Sequence, residues 1–215
     1  MEQADIADLR REYEGHGLLE SDAPDDPVEL FARWFEQATE AGVYEPNAMT
    51  LATASAEREP VSRIVLLKGF DDRGFTFFTN YESDKGRHLR DNPRASLTFY
   101  WDRLHRQVRI TGAAAQVSRE ETEAYFRSRP RGSQLGAWAS AQSRVLADRE
   151  ALDRRYAELE ARYEGQEVPV PPHWGGYRVA PESIEFWQGR TSRLHDRLRY
   201  RRSANGPWTL ERLAP

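Results

Sequence analysis

The chain has 215 residues, a formal net charge of −4 and no cysteine. Its length is enough for one sizeable core. The missing thiols exclude disulfides, thiolate metal sites and cysteine nucleophiles together, and the acidic balance argues against a nucleic-acid partner or an anionic membrane surface, so any anion site must be local.

The first twenty residues lack the apolar core of a signal peptide, and no later run approaches the roughly 20 apolar residues of a membrane span, so a soluble, cytoplasmic protein is expected. Residues 5 to 14 predict a short helix ending at Gly15, with Arg10 and Tyr13 on one face; a mobile arm is the competing reading. Asp26, Pro27 and Glu29 then form a helix start with a capping box, and Phe31, Trp34, Phe35 and Ala38 repeat at helical spacing as a core stripe up to Gly42.

From Ala48 the period changes to two. Strands are expected at about 48 to 55, 60 to 68, 75 to 80, 94 to 101 and 106 to 117, with one short helix or turn at 83 to 91. Several short strands with few intervening helices argue for an antiparallel barrel or sandwich. Ser118 and Glu121 open a second helix that Pro130 stops, a Gly/Ser/Ala-rich connection follows, and a polar helix is expected over 144 to 164 with Leu152, Tyr156, Leu159 and Tyr163 as its apolar stripe. The prolines at 169, 171 and 172 force an extended crossing. The last strands are placed at about 175 to 180, 182 to 188, 193 to 201 and 208 to 213, with Asn205-Gly206 marking a hairpin.

Extended backbone over 193 to 200 would put Arg193, His195, Arg197 and Arg199 on one face and Leu194, Leu198 and Tyr200 on the other. A row of cations beside an imidazole suits a phosphorylated ligand; a solvated edge strand is the alternative. Only Lys68 and Lys85 among the 31 basic residues are lysines, which suits places where a compact point charge is wanted; chance retention of either is the competing reading. Arg63 and Lys68, five apart, would face opposite sides of a regular strand; two different phosphates would account for that, with an ordinary surface residue on one side as the competing explanation. The five histidines show no metal-ligand spacing, and no nucleotide-binding glycine motif or nucleophile elbow is present.

Several segments together carry a resemblance: LRREY at 9 to 13, RIVLLK at 63 to 68, FFTN at 77 to 80, RQV at 106 to 108, YFRSRPRGSQLGAW at 125 to 138, QS at 142 to 143, WGGYRV at 174 to 179, IEFWQGRTSRLHDR at 184 to 197 and the terminal RLAP. In these the chain resembles the pyridoxamine 5′-phosphate oxidase family over nearly its whole length. The resemblance implies a single FMN-binding split β-barrel domain, mainly antiparallel β with flanking helices. It further implies an N-terminal arm and helices over about 1 to 45, a dimerisation and active-site region over about 170 to 215, and a homodimer with FMN at its interface.

It assigns FMN contacts to Arg63, Ile64, Val65, Leu66, Leu67, Lys68, Phe78, Thr79, Lys85, Gln107, Gln142, Ser143, Trp187 and Arg197. Substrate phosphate falls to Lys68, Tyr125, Arg129 and Ser133, and the pyridine ring to Arg193, Leu194 and His195, with Arg193 and His195 as the catalytic pair. Arg10 and Tyr13 match a segment that closes over the substrate. Asp84 stands where many relatives have arginine, and Phe78 where some have tyrosine. The implied activity is oxidation of pyridoxamine or pyridoxine 5′-phosphate to pyridoxal 5′-phosphate with dioxygen, releasing peroxide, and ammonia from the amine. The rivals are another split-barrel flavin oxidoreductase and a non-catalytic carrier of pyridoxal phosphate or FMN.

Overall fold

Secondary structure follows the sequence pattern closely in this computed structural model, which describes residues 13, 17–202 and 206–215. Tyr13 apart, the expected helix at 5 to 14, with Arg10, lies outside the described residues, as does Asn205 of the expected hairpin. Helix α1 (Pro27–Glu40) starts as its sequence demands: the Asp26 carboxylate accepts from Val28 N at 2.9 Å, and Pro27 occupies the first helical position. Phe31, Trp34 and Ala38 of its stripe are buried, while Phe35 is only partly so. Burying a side chain such as Phe31 stabilises by about 1.5–3 kcal/mol.

Strands β1 (Ala48–Ala54), β2 (Pro60–Leu66), β3 (Gly69–Asp71) and β4 (Gly74–Asn80) precede α2 (Asp84–Asp91). Next come β5 (Arg94–Trp101) and β6 (Arg106–Gln116), then α3 (Arg119–Ser128), α4 (Arg131–Ala139) and α5 (Arg149–Arg162). Strands β7 (Trp174–Gln188), β8 (Asp196–Arg201) and β9 (Thr209–Arg212) complete the order. The strands are hydrogen bonded in the order β2-β1-β5-β6-β7-β4-β3, with β8 on β7 and β9 on β8, and the β3/β4, β4/β7, β7/β8 and β8/β9 pairs are antiparallel.

Four sequence expectations need correction. The connection after Pro130 contains α4, whose Gly132, Ser133 and Gly136 mask its helical character; Leu135 and Ala137 bury its inner face. The long helix begins at Arg149, not 144, because Asp148 caps it by accepting from Ala151 N. The two strands expected around Pro181 are one strand: β7 pairs with β4 up to Val179 and with β8 from Ser183, so the proline falls between the stretch paired with β4 and the stretch paired with β8. Strand β8 starts at Asp196, three residues late, because Ser192 and Arg193 have φ of 54° and 59°. The row of cations on one strand face therefore does not form. Leu194, expected on the apolar face, is 69% exposed.

The chain divides into two compact units. One comprises the described residues of Met1–Met49, with Leu97–Thr111 and Glu182–Pro215; its aromatic core includes Phe31 against Phe99 and Trp34 against Phe186. The other comprises Thr50–Ser96 and Gly112–Pro181, where Phe126, Leu135, Leu159, Tyr163 and Trp174 cluster under α3, α4 and α5. Among the described residues no helix is long and apolar enough to cross a membrane.

Candidate functional site

A cavity of about 870 Å³ lies within the second unit, lined from β2, the β2–β3 connection, β4, α2, α3, α4 and the segment after α4. Among the described residues four cations line it, Arg63, Lys68, Lys85 and Arg129, against one carboxylate, Asp84. In a chain of net negative charge, such a local excess marks an anion site.

Lys85 is held there by its helix. The Ser83 hydroxyl caps α2 by accepting from Gly86 N, accepts from Lys85 Nζ at 3.2 Å, and donates to the Asn80 carbonyl at 2.7 Å. A Cβ at Gly86 would stand 2.1 Å from the Tyr81 carbonyl oxygen, so only glycine lets the first turn of α2 lie this close. Lys85 Nζ also donates to Gln142 Oε1 at 2.8 Å, and Thr79 Oγ1 donates to the same oxygen at 3.3 Å. These hydrogen-bond partners are neutral. Burial, with Arg63 nearby, pushes the Lys85 ammonium down to about 8, Asp84 acting in the opposite sense.

Arg63 is anchored on β1, donating from Nη1 to Thr53 Oγ1 at 2.7 Å and to the Leu51 carbonyl at 3.2 Å, while Thr53 Oγ1 meets His88 Nδ1 at 3.1 Å. Burial lowers its guanidinium from the ordinary value. Asp84 is turned toward Arg87, three residues on, in an ion pair, and its backbone N–H donates to Ser143 Oγ at 3.3 Å. The carboxylate standing where a cation was expected is thus matched by an arginine of its own helix.

Arg129 closes α3. Its guanidinium lies 4.5 Å from the Trp174 ring centroid, Nη1 is buried with no hydrogen-bond partner among the described residues, and burial lowers its pKa. Phe78 stacks on Tyr125 at 4.0 Å, which fixes the phenol on the same wall. Lys68 and Ser133 are exposed lining residues. Arg63 and Lys68 line one cavity despite their odd spacing, because β2 ends at Leu66 and the strand alternation does not reach Lys68.

Ile64, Val65, Leu66, Phe78, Thr79, Gln142 and Ser143 also line the cavity. Leu67 does not; it is 5% exposed and belongs to the core. Sequence reading passed over Thr53 and Asn80, which hold Arg63 and the Ser140 carbonyl. The signal was there: Thr53 takes a buried position in the alternation of β1, and a buried hydroxyl needs a partner.

The first unit carries the other expected residues. The Trp187 and His195 rings lie 4.6 Å apart, with Tyr13 at 5.9 Å from Trp187 and 5.7 Å from His195. His195 Nδ1 accepts from Arg190 N at 3.1 Å, which leaves its proton on Nε2, and burial together with the Arg193 cation pushes its pKa down. Arg193 is exposed beside it. Arg197 donates from Nε to the buried Glu185 at 3.0 Å, and Arg199 pairs with Glu211 at 2.7 Å. Gln107 is half-buried on β6.

The strand arrangement defines a mainly antiparallel β protein with flanking helices, and its cavity carries a local excess of cations. A family model described as pyridoxamine 5′-phosphate oxidase matches residues 35–163, and one described as the pyridoxine 5′-phosphate oxidase C-terminal dimerisation region matches residues 174–215. Proteins named pyridoxine/pyridoxamine 5′-phosphate oxidase from Rubrobacter xylanophilus and Acaryochloris marina are each 60% identical to it, over 98% and 99% of this chain and 97% of their own. The chain belongs to the pyridoxamine 5′-phosphate oxidase family.

Among solved structures, PhzG from Burkholderia lata in complex with tetrahydrophenazine-1-carboxylic acid is 38% identical with a TM-score of 0.87, covering 94% of this chain and 99% of its own. A pyridoxamine 5′-phosphate oxidase-related, FMN binding protein from Nostoc punctiforme has a TM-score of 0.72 at 16% identity over 90% of this chain and 99% of its own. That second likeness speaks for the fold, and the expected split-barrel class stands.

Proposed function

We propose that this chain is an FMN-dependent oxidase that converts pyridoxamine 5′-phosphate or pyridoxine 5′-phosphate to pyridoxal 5′-phosphate. One observation carries the reading: in a chain 60% identical to proteins of that name, one cavity holds a buried ammonium with neutral hydrogen-bond partners and a buried guanidinium nitrogen with none among the described residues. Buried cations without an anion are costly, and a phosphate monoester would offset that cost. The residues therefore fit both a cofactor phosphate and a substrate phosphate.

Bound FMN would supply the hydride acceptor that no side chain provides, dioxygen then taking the electrons and leaving as hydrogen peroxide. Arg63, Lys85, Thr79, Gln142 and Ser143 would hold the cofactor phosphate, aided by the N-terminus of α2. Backbone and side chains of Ile64, Val65, Leu66 and Phe78 would line the flavin, with Gln107, Trp187 and Arg197 as further contacts. Lys68, Tyr125, Arg129 and Ser133 would take the substrate phosphate. Arg193, Leu194 and His195 would position the pyridine ring, with Nε2–H of His195 as a donor to its phenolic oxygen. The match to a dimerisation region over residues 174–215 supports a homodimer, and the cysteine-free composition suits reducing cytoplasm.

Adding pyridoxamine 5′-phosphate to the FMN-loaded protein in air tests the reading: peroxide and pyridoxal 5′-phosphate should form in equal amounts. Binding without peroxide would instead make the chain a carrier. Turnover only of a phosphate-free carboxylate, the kind of molecule bound in PhzG, would assign it another oxidation. Arg193→Ala is expected to lower kcat at least about tenfold, the equivalent of about 1.4 kcal/mol, while the protein stays yellow. Loss of FMN in that variant would contradict the assignment of Arg193 to substrate.

A further inference from the structure

Tyr13 is the described residue of the N-terminal arm, and its ring has a built seat. Its centroid lies 4.5 Å from that of His105, closer than to Trp187 or His195. His105 faces it from the end of a single 3-10 turn, Asp102–Leu104, in the left-handed conformation with φ 50° and ψ 46°. The floor is Gly189. A Cβ there would stand 2.9 Å from both His105 Cβ and Tyr13 Cδ2, so ring, imidazole and backbone are in close contact. Gly189 N donates to the His105 carbonyl at 2.8 Å, and the Gln188 amide donates to the Leu104 carbonyl at 3.1 Å, which fix the turn against the end of β7.

We propose that His105 and Gly189 are positioning residues that seat Tyr13 against Trp187 and His195, and that this seat sets the affinity for the phosphorylated pyridine ligand. Three aromatic faces hold the phenol: His105 on one side, Trp187 edge-on at 86°, and His195. A ring held in this way fixes the Tyr13 side chain before ligand arrives, so less ordering of that residue remains to oppose binding. His195 gains a wall that keeps its imidazole in place for the pyridine oxygen. The inference rests on the proposed function, in which Tyr13 and His195 meet the substrate.

The test is a double-mutant cycle on FMN-loaded protein, reading the Kd for pyridoxal 5′-phosphate by fluorescence and the KM and kcat for pyridoxamine 5′-phosphate. His105→Ala should raise Kd and KM about three- to tenfold, within the range of one aromatic contact, with kcat and FMN absorbance little changed. His105→Phe, which keeps a ring, should restore them. Gly189→Ala should act as His105→Ala does, and neither should add to the effect of Tyr13→Ala. Effects that multiply in the Tyr13→Ala background, or a Kd indifferent to His105, would overturn the seat alone. A wild-type protein that binds no pyridoxal 5′-phosphate would overturn the functional reading and the seat with it.

Discussion

Replacing Lys85 with methionine is expected to weaken FMN binding by about 2 kcal/mol or more, roughly 30-fold in Kd, with little change in fold. The ammonium is buried and, among the described residues, bonded to Gln142 and Ser83, while methionine fills similar space without charge. Titration of apoprotein with FMN checks this, and an unchanged Kd would remove Lys85 from the cofactor phosphate site. The same residue predicts a pH dependence. Because its pKa in the folded apoprotein is about 8, the cation is present below that pH and lost above it, so FMN affinity should fall as pH rises past about 8. The Lys85→Met protein should lack that decline. Apoprotein stability responds with the opposite sign: between about 8 and the ordinary value of 10.5 the unfolded chain binds more protons at this group, so its contribution to stability improves as pH rises.

The second large effect is expected at Arg129. Arg129→Met keeps an apolar stem over Trp174 but removes the buried guanidinium whose Nη1 has no partner among the described residues. A charged hydrogen-bond partner of this kind is worth about 1.5–3 kcal/mol, so kcat/KM for pyridoxamine 5′-phosphate should fall roughly 10- to 100-fold. Unphosphorylated pyridoxamine, turned over poorly by both proteins, should lose nothing further. Equal losses with and without the phosphate would mean that Arg129 acts on the fold and not on the phosphoryl group.

Much of this fold was legible because its periods are strong. The Asp26-Pro27 start with the Phe31 stripe, the alternation of β1, and the Ser118 cap were each read from local chemistry, and each recurs in the structure. What failed had no local signal. Positive φ at Ser192 and Arg193 comes without glycine, so the strand and its row of cations were placed three residues early. The carboxylates that neutralise Arg197 and Arg199 are distant in sequence, on β7 and β9. Arg63 and Lys68 illustrate the same limit, since parity arguments stop where a strand stops. His105 and Gly189 were invisible as a pair because only the close approach of a 3-10 turn to the end of β7 joins them.

The proposed place of the flavin phosphate is the cationic cavity lined by Arg63 and Lys85. Titrating the purified protein with FMN while recording the visible spectrum tests it most directly. Saturable uptake of one flavin per chain, with a bound spectrum that survives gel filtration, is the predicted result; protein that stays colourless after incubation with excess FMN would contradict it.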